Sequence, residues 1–254
     1  MTRARDVVVP SEHQGYAMLP ALKELQKCLQ SSSQTVLDKT VSLSGLQAVL
    51  CARYGYGLTV KCEDKAYFFH LPDIATDSRQ ASLLEKAAFP DEESLLRLRR
   101  RTRPGMTILE ACIGCGMRSV FYAKSMQACQ VYAFGGTERN VALGRKNILL
   151  NEAETVALAY CLDLDKDSTP SGALDSFCRD QKIKNVDLIS LDRAGLAFAS
   201  LEGATEILRR HGPAIIIWEQ WGEEAARTKT FLDTFGYAEP ETWTPQISFW
   251  VSRV

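Results

Sequence analysis

Apolar positions follow two rhythms along this chain. Before residue 104 the spacing is mostly helical. Met18, Leu19, Leu22, Leu25 and Leu29 recur at three- and four-residue intervals and predict an amphipathic helix over 16–30. Pro20 falls in its first turn, and the Ser31–Ser33 cluster ends it. A second helix is expected over 43–54. The stretch YGYGLTVKCEDKAYFFHL then reads as a hairpin, with strands over 58–62 and 66–71 about a turn at Glu63, Asp64 and Lys65. One helix, arginine-rich at its end, is expected over 79–103.

From the turn at Pro104 and Gly105 the rhythm changes. MTILEA, VYAF, TVALAYC, VDLISLD and PAIIIWE are short apolar runs bounded by turn residues, with helical stretches such as RSVFYAKSMQA and 138–151 between them. Strands apolar on both faces, alternating with helices, predict a mostly parallel sheet covered on both sides. The last run, SFWVSRV, is expected to be an antiparallel edge strand. The division expected is an N-terminal helical and hairpin extension over 1–89 and an α/β domain over 90–254.

Composition narrows the classes without changing that picture. The chain has 254 residues, 46% hydrophobic and 24% charged, with 30 Lys+Arg against 31 Asp+Glu. These values exclude a disordered tail, a collagen and a disulfide mini-scaffold. The near-zero net charge argues against a protein whose main work is coating nucleic acid or anionic lipid. The strongest apolar run, Ala214 to Trp218, is far shorter than the roughly 20 residues of a membrane span. Three valines stopped by Pro10 are too short for a signal-peptide core. Two N-terminal arginines suit a mitochondrial transit peptide, while Asp6 and Glu12 speak against one. The eight cysteines lack framework spacing and are expected to be reduced, buried thiols of an intracellular compartment, the cytosol or the mitochondrial matrix.

The first strand–loop–helix unit carries the candidate chemistry. Gly114-Cys115-Gly116 follows MTILEA, where loop glycines let backbone approach a ligand and the helix N-terminus attracts its polar end. The dinucleotide fingerprint needs a third glycine where Ser119 stands, so the residues alone leave a ligand cradle and a tight turn both open.

Four segments within 90–220 extend this reading. PGMTILEACIGCGMRSVFYAK resembles the "kpGdvvlDvGAniGyyslyla" segment of the FkbM family of S-adenosylmethionine (SAM)-dependent methyltransferases. YAFGGTERNVALGRKNILLNE resembles its "iAfEPdprnfelLrrNlalN". ALDSF with VDLISLDRAGLAFASLEGA resembles "sLDd" and "vDliKiDvEGaElevLrGa", and RRHGPAIIIWE resembles "rrhrPvilfE". The resemblance covers about half the chain. It implies a Rossmann-like methyltransferase fold with seven strands, and SAM contacts at Glu110, Gly114, Gly116, Phe134 and Gly135, at the carboxyl ends of the first strands.

The departures from that family fall on ligand positions. Position 110 is Glu for Asp, 112 is Cys for Gly, 114 is Gly for Asn and 135 is Gly for Glu. The last removes the acid that accepts hydrogen bonds from the ribose hydroxyls, a charge-assisted contact worth ~1.5–3 kcal/mol. In the fourth-strand motif Ser190 replaces Lys, and Ala194 and Ala197 replace two Glu, while Asp192 and Gly195 remain. Glu138 could stand in for the lost acid only by unwinding a helix start capped by Thr137. Scaffold positions, among them Asn140, Leu143, Asn147, Gly203, Ala204 and Pro213, are kept.

Other constellations have plainer readings. Cys112-x-x-Cys115 has the spacing of half a zinc site or a redox pair, but there is no second such pair and the histidines are scattered at 13, 70 and 211, so no metal site is expected. Arg97, Arg99, Arg100, Arg101 and Arg103 read as a solvated helix end complementing the dipole, with an RNA patch as the remote alternative. His211 reads as a helix C-terminal cap. Trp221 could line a pocket or interface. Asp192 and Glu219, closing the fourth and fifth strands, are the general-base candidates for methyl transfer to a hydroxyl.

Two functions follow from this. One is an FkbM-like protein without catalysis, an accessory subunit among other protein subunits, with no cofactor. The other is an active SAM-dependent O-methyltransferase acting on a small-molecule or glycan hydroxyl.

Overall fold

The computed structural model describes residues 57–73, 77–126, 130–161, 173–192, 197–220 and 222–253. The helices expected over 16–30 and 43–54, and the residues Ala194, Gly195 and Trp221, lie outside them.

The described chain runs β1 (Gly57–Cys62), β2 (Lys65–His70), α1 (Ser78–Lys86), α2 (Glu92–Arg101), β3 (Thr107–Ala111), α3 (Met117–Ser125), β4 (Gln130–Gly135), α4 (Glu138–Leu150) and β5 (Ala157–Cys161). It continues with α5 (Ala173–Asp180), β6 (Leu188–Leu191), α6 (Ala197–Glu202), α7 (Thr205–His211), β7 (Ala214–Ile217), α8 (Gly222–Asp233), β8 (Glu241–Thr242) and β9 (Ser248–Trp250). β1 and β2 pair as an antiparallel hairpin. The other seven strands form one sheet in the order β5-β4-β3-β6-β7-β9-β8. Its first five strands are parallel, and β9 runs antiparallel to both β7 and β8. This is the Rossmann-like methyltransferase fold.

Strict alternation along the strands divides the core between the two faces. Ile108, Val131, Ala133, Leu188 and Ile216 join the hairpin, α2 and α3 on one face. Leu109, Phe134, Ile189, Leu191, Ile215 and Ile217 pack with α5, α6 and α7 on the other. A strand buried on both sides is apolar at nearly every position, and the sequence displays that pattern with Glu110 and Ser190 as the buried polar exceptions on these strands.

Three expectations need correction. SFW is antiparallel as expected but is not the edge, because the two-residue β8 pairs with its outer side. The single helix over 79–103 is two helices. Ala87 takes a left-handed φ of 48° as the C-cap of α1, and Pro90 follows, where neither ring nor missing N–H suits a helix interior. The helix-end role expected of His211 belongs to Gly212, whose φ of 53° lets its N–H close on Leu208 O.

The hairpin is tied to the sheet unit by side-chain amides. Asn151 accepts from Phe68 N at 2.9 Å and donates to Phe68 O at 2.6 Å. Asn147, one helical turn earlier on α4, does the same for His70, at 2.6 and 3.1 Å, and donates to Cys115 O at 2.7 Å. Two asparagines thus take the place of a neighbouring strand along β2, satisfying backbone groups that burial would otherwise leave unpaired.

The arginines of α2 are neither a free basic patch nor simply solvated. Arg97 and Arg101 both reach Glu241 of β8, Arg99 grips Glu63 in the hairpin turn, and Arg103, just past the end of α2, pairs with Asp187 ahead of β6. Arg97 also lies over the Trp243 ring at 4.7 Å. The acids they engage come from three separate elements, so the cluster works as a clamp.

Candidate functional site

The carboxyl ends of β4, β3, β6 and β7 lie side by side, and they carry the site residues expected from the sequence. The loop after β3 turns sharply, with positive φ at Cys112 (69°), Gly114 (52°) and Gly116 (77°). Gly114 has open space around it, with no atom within 4 Å of an added Cβ. Gly116 is needed for packing. An added Cβ there would lie 3.0 Å from the Cα of Gly144, so α3 and α4 touch through two glycines. Cys112 holds a conformation that costs a residue with a Cβ ~1–2 kcal/mol. We expect Cys112→Gly to raise stability by about 0.5–1 kcal/mol, the strain relieved less the added freedom of glycine in the unfolded chain. A urea midpoint unchanged or lowered would count against it.

The end of β4 departs furthest from a cofactor site. Gly135 is buried, and a Cβ there would meet Cγ2 of Ile113 and Cγ2 of Val141, each at 3.0 Å. Ile113 is anchored by its N–H on Phe134 O at 2.7 Å. Aliphatic methyls therefore occupy the ground that an acidic side chain at 135 would cross. The Phe134 ring turns into the opposite core, 4.8 Å from Phe177. Thr137 accepts from Asn140 N as an N-cap, which fixes Glu138 in the first turn of α4. The residues present do not match the contact set of a SAM ribose.

Glu110 is fully buried beside Ser190 and Ala133 of the neighbouring strands. Ser119 Oγ donates to its Oε2 at 2.5 Å, while Oε1 has no hydrogen-bond partner. Burial pushes its carboxyl from an ordinary 4.5 up to about 8, against the lowering effect of the Ser119 bond. It is accordingly a neutral acid at pH 7. Next to it Ser190 Oγ bonds Tyr122 Oη and accepts from Trp218 Nε1, both at 2.9 Å.

Asp192 and Glu219 come together, but through arginines. Arg79 of α1 donates from Nη1 to Asp192 Oδ2 at 2.9 Å and from Nη2 to Glu219 Oε2 at 2.8 Å, and it also bonds the main-chain oxygen of Asp192. Arg118 of α3, itself buried, pairs with the other oxygen of Asp192 and lies 4.3 Å over the Trp218 ring. Burial raises the Asp192 carboxyl above its ordinary value, and Arg118 and then Arg79 offset only part of that rise. Both of its oxygens are engaged by guanidinium groups, so neither is free to take a proton from a substrate hydroxyl while those pairs hold. The four residues line a cleft of about 750 Å³ whose other wall is α1, Pro90 and Asp91.

Neither arginine was identified from the sequence. Arg118 had a signal, an arginine inside the otherwise apolar start of a helix behind a glycine loop, which implies a buried acid. Arg79 had none, because its helix lies far from the sheet in sequence. Burial pushes the Cys115 thiol up to about 12, so that thiol is not a reactive centre.

No known protein family matches the chain, and no curated protein matches it either. Solved structures do resemble it. The P. horikoshii TYW2, determined in complex with MeSAdo, is 14% identical, with 86% of this chain and 83% of that chain covered at a TM-score of 0.50. The M. jannaschii TYW2 in complex with AdoMet is 14% identical over 77% and 83% at 0.47, and an rRNA methylase from Streptococcus thermophilus is 17% identical over 64% and 93% at 0.44. At these identities the likeness is one of fold. The methyltransferase fold stands, while the narrower FkbM resemblance rests on the sequence segments alone.

Proposed function

We propose that this chain is an FkbM-like methyltransferase-fold protein that no longer transfers a methyl group and serves as an accessory subunit of a larger protein assembly. The observation that carries this reading is the end of β4, where Gly135 is packed against Ile113 and Val141 and no acid faces the ribose position. The arginine-bound state of Asp192 and Glu219 supports it. The accessory role is supported by apolar side chains left exposed at one end of α4, Leu149 at 63% and Leu150 at 44%, with Phe68 on the strand bonded to the next residue. Reduced thiols at Cys62, Cys115 and Cys178 suit a cytosolic or matrix location.

The reading is tested by calorimetric titration of SAM into the native chain and into an Ile113→Ala/Gly135→Glu pair. The first substitution removes one of the two methyl groups that crowd the second. We expect no saturable heat from the native chain and saturable binding by the pair, since the restored acid supplies ~1.5–3 kcal/mol, one to two decades of affinity. Micromolar binding by the native chain would overturn the reading.

The second reading, an active SAM-dependent O-methyltransferase, draws on the open space beside Gly114. It requires that a hydroxyl acceptor, small-molecule or glycan, release Asp192 or Glu219 from its arginine.

A further inference from the structure

We propose that the cleft between α1 and the carboxyl ends of β6 and β7 is a receptor for a guanidinium group, such as an arginine side chain presented by a peptide, and that Arg79 is its built-in occupant. The proposal holds whether or not the chain binds SAM.

The acceptors are arranged for a planar fork. Asp192 Oδ2, the main-chain oxygen of Asp192 and Glu219 Oε2 come from the ends of two adjacent strands, and all three accept from one guanidinium. An ammonium is a point charge and gains less from acceptors set around a plane.

Two further features make Arg79 an occupant rather than a permanent pillar. Asp192 keeps a charge partner without it, because Arg118 is buried against its other oxygen and is held over Trp218. Arg79 itself is partly exposed, on a nine-residue helix anchored mainly by Leu83 and Gln80. With Arg79 in place the cleft is lined by Asp77, Asp91, Asp192 and Glu219 against Arg79, Lys86 and Arg118. If Arg79 swings out, four acids face two bases, and the deficit is filled by an incoming cation. The cleft as a whole, about 750 Å³ with Arg79 in its lining, is within the range of ligand pockets, so a guanidinium can enter with the chain that bears it.

The test uses the full chain, with methylguanidinium and N-acetylarginine methylamide as probes and sodium chloride at equal ionic strength as the control. The readout is the NMR shift of the indole N–H of Trp218, whose ring lies beneath Arg118. In Arg79→Ala we expect a saturable shift with both probes, tighter for the arginine amide. In the native chain, where Arg79 competes, binding should be weaker by roughly tenfold or more. In Arg79→Ala/Glu219→Gln it should be lost. A shift that merely tracks ionic strength in Arg79→Ala, or equal affinity in the native chain and Arg79→Ala, would overturn the proposal. Arg79→Gln is the second variant should Arg79→Ala not fold. A thermal midpoint of Arg79→Gln that does not rise saturably with methylguanidinium would overturn it equally.

Discussion

Glu110→Gln will make the protein markedly more stable in alkaline solution and will leave it nearly unchanged in acid. Glu110 is buried on the central strand with one carboxyl oxygen lacking a partner, and its folded-state value of about 8 lies above the ordinary 4.5. Below pH 4.5 both folded and unfolded chains hold the proton, and the group costs nothing in pH terms. Between 4.5 and 8 the unfolded chain releases the proton and the folded chain keeps it. The folded state then binds more protons, and stability falls with rising pH by up to ~1.4 kcal/mol per pH unit. Above about 8 the folded chain ionises too and the loss levels off, at roughly 3–5 kcal/mol. Glutamine keeps the acceptor for Ser119 Oγ and cannot ionise. Urea unfolding at pH 5, 7 and 9 should give two curves that coincide within about 1–2 kcal/mol at pH 5, the allowance for a buried amide hydrogen, and diverge steadily above it. Parallel pH dependences would show that Glu110 ionises in the folded chain as it does in water.

What the sequence made legible was set by local physics. Strands buried on both faces are apolar at nearly every position, so MTILEA, VYAF and PAIIIWE declare the parallel sheet without tertiary information, even with Glu110 inside the first. The Thr137 cap and the positive φ of Gly114 and Gly116 follow from equally local constraints. The break between α1 and α2 was missed because a helical apolar rhythm continues on both sides of Ala87 and Pro90. β8 was missed because a two-residue strand has no periodicity. The candidate acids were placed correctly at the strand ends, but their electrical state was not readable. It depends on Arg79, 113 positions away from Asp192 in the chain, and on a buried arginine whose partner only the fold reveals. Asp175 teaches the same lesson. Its segment resembles a family motif, yet its carboxylate accepts from Glu206 N and Ile207 N and caps α7. Likewise Gly135 read simply as a lost acid, and only the packing shows Ile113 filling the space beside it.

Arg118→Met should be the most damaging single change at the site. The side chain is nearly inaccessible, pairs with an equally buried Asp192, and covers the Trp218 ring. Methionine matches much of the stem in shape, so the loss falls on the charge and not on a large cavity. Removing one member of a buried ion pair strands the other, at a cost of about 3–5 kcal/mol. Arg79 limits that cost only in part, since it is shared with Glu219 and reaches the other oxygen of Asp192. The discriminating variant is Arg118→Met/Asp192→Asn. If the damage comes from a stranded carboxylate, neutralising it should recover well over half of the lost stability, and a double-mutant cycle by urea unfolding should give a coupling of about 2–3 kcal/mol. Additive losses would place the role of Arg118 in its packing on Trp218. A loss below about 1 kcal/mol for Arg118→Met alone would mean that Arg79 already suffices for Asp192.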